Sequence, residues 1–195
     1  MKELRANTSP QPSAIVLVGF MGSGKSSIAR RLARRLQCDA VDLDSYIEQR
    51  AGRRIAEIFA TDGEPAFRDL ETAALAECLG KADVIATGGG IVARERNRDL
   101  LRAAAAQGAL IVYLRASPEV LARRIRRQPG KRPLIDGQAV LNEEETRRRV
   151  EHLLAARAAH YESCSNLVVD TDNMSLEQAM RHIISHRIQS GVQDG

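Results

Sequence analysis

The 195-residue chain has no tryptophan, and phenylalanine and tyrosine together make up only 3% of it. Proteins that grip single-stranded nucleic acid stack bases on aromatic rings, at about 1–3 kcal/mol per base, and this sequence has few rings to offer. No nucleic-acid partner is expected. Cysteine is also scarce: Cys38, Cys78 and Cys164 are an odd number at wide spacing, which argues against a disulfide framework and fits a reducing compartment. No apolar run approaches the ~20 residues of a membrane-spanning helix, and the N-terminus lacks the basic, apolar and small-residue order of a signal peptide. A cytoplasmic protein without a membrane partner is therefore expected. Lysine is the last shortage, with only Lys2, Lys25, Lys81 and Lys131. The positive charge is carried almost wholly by arginine, whose fixed charge and planar donor fork suit carboxylates and phosphates. A net charge of +4 favours anionic small molecules without requiring a polyanion.

With 44% hydrophobic residues, dominated by Ala, Leu, Ile and Val, the chain has the size and core of one α/β domain. The polar stretch 1–13, through Pro10, Gln11 and Pro12, reads as a leader, 14–188 as a single domain, and 189–195 as a tail. Apolar runs suited to strands covered on both sides occur at Ala14–Val18, Asp83–Ala86, Ala109–Leu114 and Leu167–Val169, with a brief one ending at Val41. Helix-patterned segments lie between them, among them Ser45–Arg50, Asp69–Leu79 and Pro118–Ile125. That alternation predicts a parallel sheet of five strands. After the first strand, Ile28, Leu32, Ala33 and Leu36 share one helix side, while Arg30, Arg31, Arg34 and Arg35 lie mostly on a solvated face. Gln128–Pro133 interrupts an otherwise helical half, so a mobile lid is expected over about 124–140.

Gly19-Phe20-Met21-Gly22-Ser23-Gly24-Lys25-Ser26 matches the phosphate-loop pattern, with a strand before it and a helix after it. Glycines let backbone N–H groups turn inward around phosphate oxygens at a helix N-terminus. Lys25 adds a charge near the β and γ phosphates, and Ser26 offers a hydroxyl to Mg²⁺. Asp42 and Asp44 follow at the end of the second strand, where alternation would put both carboxylates on one side near the ligand-binding edge. The alternative is that they cap the next helix. Gly88-Gly89-Gly90 after the third strand is more glycine than a turn requires and suits close approach to a ligand. Arg68 in Gly63-Glu64-Pro65-Ala66-Phe67-Arg68, and Arg157 ahead of Tyr161, taken one at a time read as surface ion-pair partners before ligand contacts. His182 and His186, four apart, lack a third ligand of suitable spacing, and helical amphipathicity explains them.

In order along the chain, GFMGSGKS, DLD, GEPAFRDLE, TGGG, KRPLI and ARAAHY closely resemble shikimate kinase, from about Ile15 to Asp170. The resemblance implies a three-layer phosphate-loop kinase fold, with strand order 2-3-1-4-5, helices on both faces and a mobile lid. It implies transfer of the γ-phosphoryl group of MgATP to the 3-hydroxyl of shikimate. Carried over residue by residue, it has Gly22, Ser23, Gly24, Lys25, Ser26 and Ser27 hold ATP. Ser26 holds Mg²⁺ directly and Asp42 through water. Asp44, Arg68, Gly88, Gly89, Gly90 and Arg157 hold shikimate, with Asp44 accepting or orienting the attacking hydroxyl. Arg132 of the lid neutralises charge in transfer alongside Lys25. A second lid arginine packs on adenine; position favours Arg127, with Arg126 and Arg124 as rivals. Thr171 to Met174 would pass near adenine. The segment Asp136–Arg149 is longer than the family's usual spacing, and its Glu143–Glu145 and Arg147–Arg149 suit pairs along one helix. A monomer acting on ATP and shikimate is expected. The rivals are a kinase for a gluconate-type acid, and a nucleotide-binding module without turnover.

Overall fold

The protein is described here from a computed structural model that covers residues 14–127 and 142–191. Five strands, β1 (Ile15–Val18), β2 (Ala40–Asp42), β3 (Val84–Ala86), β4 (Leu110–Arg115) and β5 (Leu167–Asp170), form one parallel sheet in the order β2-β3-β1-β4-β5. The count and the order agree with expectation. The helices among the described residues are α1 (Lys25–Leu36), α2 (Leu43–Ala51), α3 (Ile55–Thr61), α4 (Gly63–Leu79), α5 (Glu95–Ala106), α6 (Pro118–Arg126), α7 (Glu143–Ala155), α8 (Ala158–Cys164) and α9 (Leu176–Gly191).

The three layers follow from the period-two alternation of strand side chains. Val16 and Val18 of β1, with Ile85, Ile111 and Tyr113, face Leu75 and Cys78 of α4, Leu101 of α5 and Tyr161 of α8. Ile15 and Leu17, with Val84, Val112 and Leu114, face Ile28 and Leu32 of α1 and Met180 and Ile183 of α9. Both faces are covered, so β1 and β3 are apolar throughout and fully buried. A smaller cluster joins Phe20 of the phosphate loop to Leu121, Ala122 and Ile125 of α6 and Val150 of α7. It seats the helices on either side of 128–141 against that loop.

The register sets what the carboxyl edge presents. Leu17 and Asp42 both pair with Ala86, so β1, β2 and β3 end at one level and their loops leave side by side. With β1 lying between β3 and β4, the connections diverge at the crevice where doubly wound sheets bind ligands.

Two local expectations change. Asp42 ends β2, one residue beyond the predicted end, and is the N-cap of α2, its carboxylate accepting a hydrogen bond from the Ser45 N–H at 3.3 Å. Asp44 lies in the first turn of α2, so strand alternation does not apply to it; the capping alternative describes Asp42. Helix α4 starts at Gly63, six residues before the predicted Asp69. Pro65 is tolerated there because first-turn N–H groups have no intrahelical acceptor to lose. The whole GEPAFR motif is therefore helical. The charge-rich start of α7 forms the expected pairs, Arg148 with Glu144 and Arg147 with both Glu144 and Glu151. Residues 136–141 of that segment, and most of the expected lid, lie outside the described residues.

Candidate active site

Two glycine devices meet at the sheet edge, and they work differently. Gly19, Gly22 and Gly24 have φ of +139°, +81° and +102°, a region that costs an L side chain roughly 1–2 kcal/mol. They are needed for the turn itself. Gly88, Gly89 and Gly90 have no positive φ among them and are needed for space. A Cβ on Gly88 would stand 2.7 Å from Asp44 Oδ1 and 3.0 Å from Glu71 Oε1; one on Gly89 would meet Met21 N at 2.9 Å; one on Gly90 would fall on the Arg68 guanidinium, with Cζ at 2.7 Å. Each glycine thus makes room for a different piece of the site, which explains a run of three.

Within the phosphate loop, Lys25 is nearly buried and its Nζ donates to the carbonyls of Gly19 (2.7 Å) and Phe20 (2.8 Å). The ammonium is thereby held across the loop at the amino end of α1, where a phosphate would arrive. Ser23 is buried with its Oγ unpartnered, and Ser26 and Ser27 sit half-buried in the first turn.

The acceptor side is built on α4 and α8. Arg68 is 5% exposed. Its Nη1 donates to Glu71 Oε2 at 2.8 Å and its Nη2 to Glu64 Oε1 at 2.9 Å. Glu71, 1% exposed, keeps its Oε1 unpartnered. Arg157, the N-cap of α8, donates from Nη1 to Gly89 O at 3.3 Å. The two guanidiniums therefore meet the same triple glycine from different helices, with Glu71 inside the field of both. Burial pushes the Glu71 carboxyl up, and Arg68 opposes that. Asp44 is pushed up to about 6, first by burial, then by the charges of Asp42 and Glu71, against the pull of Lys25. A carboxylate of that proton affinity is matched to accepting a proton near neutral pH.

On the other flank, α6 lies over the phosphate loop. A Cβ on Gly22 would meet Ile125 Cγ1 at 3.1 Å and Arg124 Cβ at 3.8 Å, and one on Gly24 would meet Leu176 Cδ2 at 3.2 Å. Arg124 donates to Thr171 O at 2.6 Å and Oγ1 at 3.1 Å. Met174 is exposed in the β5–α9 turn, and Arg127 is exposed at the C-cap of α6. Arg132 lies outside the described residues.

Asp44, Arg68, the triple glycine, Arg157 and Lys25 are thus brought together, and Arg127 is set apart at the surface. Two neighbours escaped the sequence reading. Glu71 appeared in it only as a motif letter, although three residues after Arg68 on a helix is pairing distance. Tyr161, fully buried, donates its phenol O–H to Gly89 O at 2.5 Å. Its spacing of four from Arg157 was the available signal.

The shikimate kinase family model matches residues 21–187. A shikimate kinase of Pelotomaculum thermopropionicum is 38% identical over 87% of this chain and 92% of its own length. One of Symbiobacterium thermophilum is 40% identical over 91% of this chain and 97% of its own. Among solved structures, the shikimate kinase of Acinetobacter baumannii in complex with shikimate superposes with a TM-score of 0.81 at 30% identity, covering 91% of this chain and 94% of that one. Because the likeness extends across the acceptor-side helices and both flanks of the sheet, and not merely over a phosphate loop that many kinases share, this chain belongs to the shikimate kinase family.

Proposed function

We propose that the protein transfers the γ-phosphoryl group of ATP to the 3-hydroxyl of shikimate, giving shikimate 3-phosphate and ADP. The observation that carries this reading is the pairing of Arg68 and Arg157 over Gly88–Gly90, with Asp44 packed against Gly88. Two guanidiniums suit one carboxylate, and an acidic side chain beside them suits a hydroxyl. Arg68 and Arg157 bind the shikimate carboxylate, the Gly88–Gly90 backbone approaches the ring, and Asp44 holds the attacking hydroxyl and takes its proton. Lys25 and the loop from Gly22 to Ser27 bind the phosphates.

The oxygen donors present fit a small hard cation: Ser26 opens α1 beside Lys25, and the Asp42 carboxylate stands at the sheet edge. Mg²⁺ arriving with ATP would be held by Ser26 directly and by Asp42 through water, and would supply neutralisation of phosphate charge. Arg132 adds charge during transfer. Arg124, tied to Thr171 beside Gly22, takes the adenine-side role in preference to Arg127, and Met174, exposed after β5, is read as a further adenine contact. We read the enzyme as a cytoplasmic monomer; its three cysteines are free thiols, and no described helix is long and apolar enough to cross a membrane.

The test is ADP release with MgATP and shikimate, gluconate, quinate or no acceptor. Stimulation by shikimate alone supports the reading. Equal stimulation by gluconate would replace it with a broader polyol-acid kinase, and no stimulation by any acceptor would leave a nucleotide-binding protein without this transfer.

A further inference from the structure

Three consecutive glycines carry no side chain to restrain the peptide planes between them, so hydrogen bonds weigh heavily in setting those planes. On the acceptor reading above, Gly88–Gly90 is the part of the site whose backbone faces the substrate. The carbonyl of Gly89 is where it is held. Tyr161 donates to that oxygen from its phenol, and Arg157, one helical turn earlier on α8, donates to the same oxygen at 3.3 Å. Both lone pairs of the carbonyl are therefore engaged. Tyr161 is 0% exposed, and its ring stacks on Tyr113 of β4 at 5.0 Å between centroids and 19° between planes. Burial pushes its phenol well above the ordinary value, so it remains a donor at any working pH.

A trans peptide points its C=O and the following N–H in opposite directions, and there are no cis peptides among the described residues. Pinning the Gly89 carbonyl toward α8 consequently fixes the Gly90 N–H away from α8. Neighbouring amides are already used: the Ile91 N–H donates to Gly88 O and the Ala93 N–H to Gly90 O. The Gly90 N–H has no acceptor among the described residues.

We propose that Tyr161 is a positioning residue, whose phenol sets the Gly89–Gly90 peptide so that the Gly90 N–H is presented to the carboxylated acceptor. The proposal rests on the acceptor reading given above. It also accounts for the division of labour between the two donors. Without the phenol, Arg157 would be the sole anchor of Gly89 O while also serving the substrate carboxylate.

Tyr161→Phe in the full chain removes one oxygen and keeps the stacking ring. The expected result is a rise in KM for shikimate of about tenfold, the scale of one misaligned hydrogen bond. The KM for ATP and the acceptor-independent ATP hydrolysis stay within twofold of wild type. Ile183→Val, on the opposite face of the sheet, is the comparator: it lowers Tm and moves neither KM. Amide NMR supplies the readout that needs no turnover. In wild type the Tyr161 hydroxyl proton exchanges slowly and gives a cross-peak to the Gly89 α protons; in Tyr161→Phe the Gly90 amide broadens or shifts. An unprotected hydroxyl proton in wild type overturns the proposal, as does an unmoved Gly90 amide or a parallel rise in both KM values. If the wild type shows no shikimate-dependent ADP release, the acceptor reading fails, while the hydroxyl proton and Gly90 amide still decide whether Tyr161 sets the peptide.

Discussion

Asp44→Asn should make the protein more stable and nearly inactive, and both effects follow from what surrounds the carboxylate. Burial and the charges of Asp42 and Glu71 raise its pKa from 3.8 to about 6. A group whose folded pKa is raised binds its proton more tightly in the folded state. Stability from this group is therefore fully present below pH 3.8 and is lost as the pH rises through about 6. At about 1.4 kcal/mol for each tenfold change in proton affinity, the charged carboxylate costs at most about 3 kcal/mol above that pH. Asp44 is half-buried rather than sealed, so about 1–2 kcal/mol is the expected gain from an uncharged isostere. For a chain of this length that is a rise in Tm of roughly 2–8 °C. The assay is urea unfolding of both proteins at pH 4 and pH 8, beside ADP release with shikimate. The gain appears at pH 8 and vanishes at pH 4, and kcat falls by about 10²–10⁴, the usual worth of a positioned proton acceptor. A variant less stable than wild type at pH 8, or a gain equal at both pH values, refutes the reasoning about its electrostatics.

The two glycine devices should fail in different columns of a kinetic table. Gly90→Ala is conformationally allowed at φ −101°, but its methyl displaces the Arg68 guanidinium, so KM for shikimate rises by about thirtyfold or more while ATP binding is kept. Gly24→Ala places a side chain at φ +102° against Leu176 and should weaken ATP binding with little change in direct shikimate binding by calorimetry. Glu71→Gln removes the buried charge facing Arg68, which keeps only Glu64. It should raise KM for shikimate about tenfold and, by removing one of the charges that lift Asp44, move the acidic limb of the kcat/KM profile to lower pH. An acidic limb that stays in place would show that Glu71 does not act on Asp44.

Much of the fold was legible because its signals are local. The apolar runs of β1 and β4, the glycine loop into α1, and the apolar side of α1 set against Arg30, Arg34 and Arg35 each depend on residues a few positions apart. The strand order entered through resemblance, since no short-range signal carries it. Strand alternation does not position Asp44, because α2 begins one residue after the strand's last residue and helix boundaries shift by a residue or two on small local differences. The early start of α4 was hidden by Gly63 and Pro65, which read as a loop until the first turn of a helix is considered. Distance along the chain does not separate Arg124 from Arg127; the helix face does, since Arg124 meets Thr171 and lies beside Gly22 while Arg127 is exposed at the end of α6.

By itself, the sequence determined the phosphate loop, the alternation of strands and helices, and the residue types that suit a carboxylated, hydroxylated acceptor. Only the tertiary structure decided how these act on one another. Asp42–Asp44, Arg68–Glu71, Gly88–Gly90 and Arg157–Tyr161 lie on four separate segments, and the parallel register brings them to one edge. There the missing Cβ atoms admit a guanidinium and two carboxylates, a buried phenol secures one carbonyl, and the proton affinity of Asp44 is set by neighbours distant along the chain. Proton affinities and close approaches are sums over what is near in space, and sequence order carries that information only through the fold.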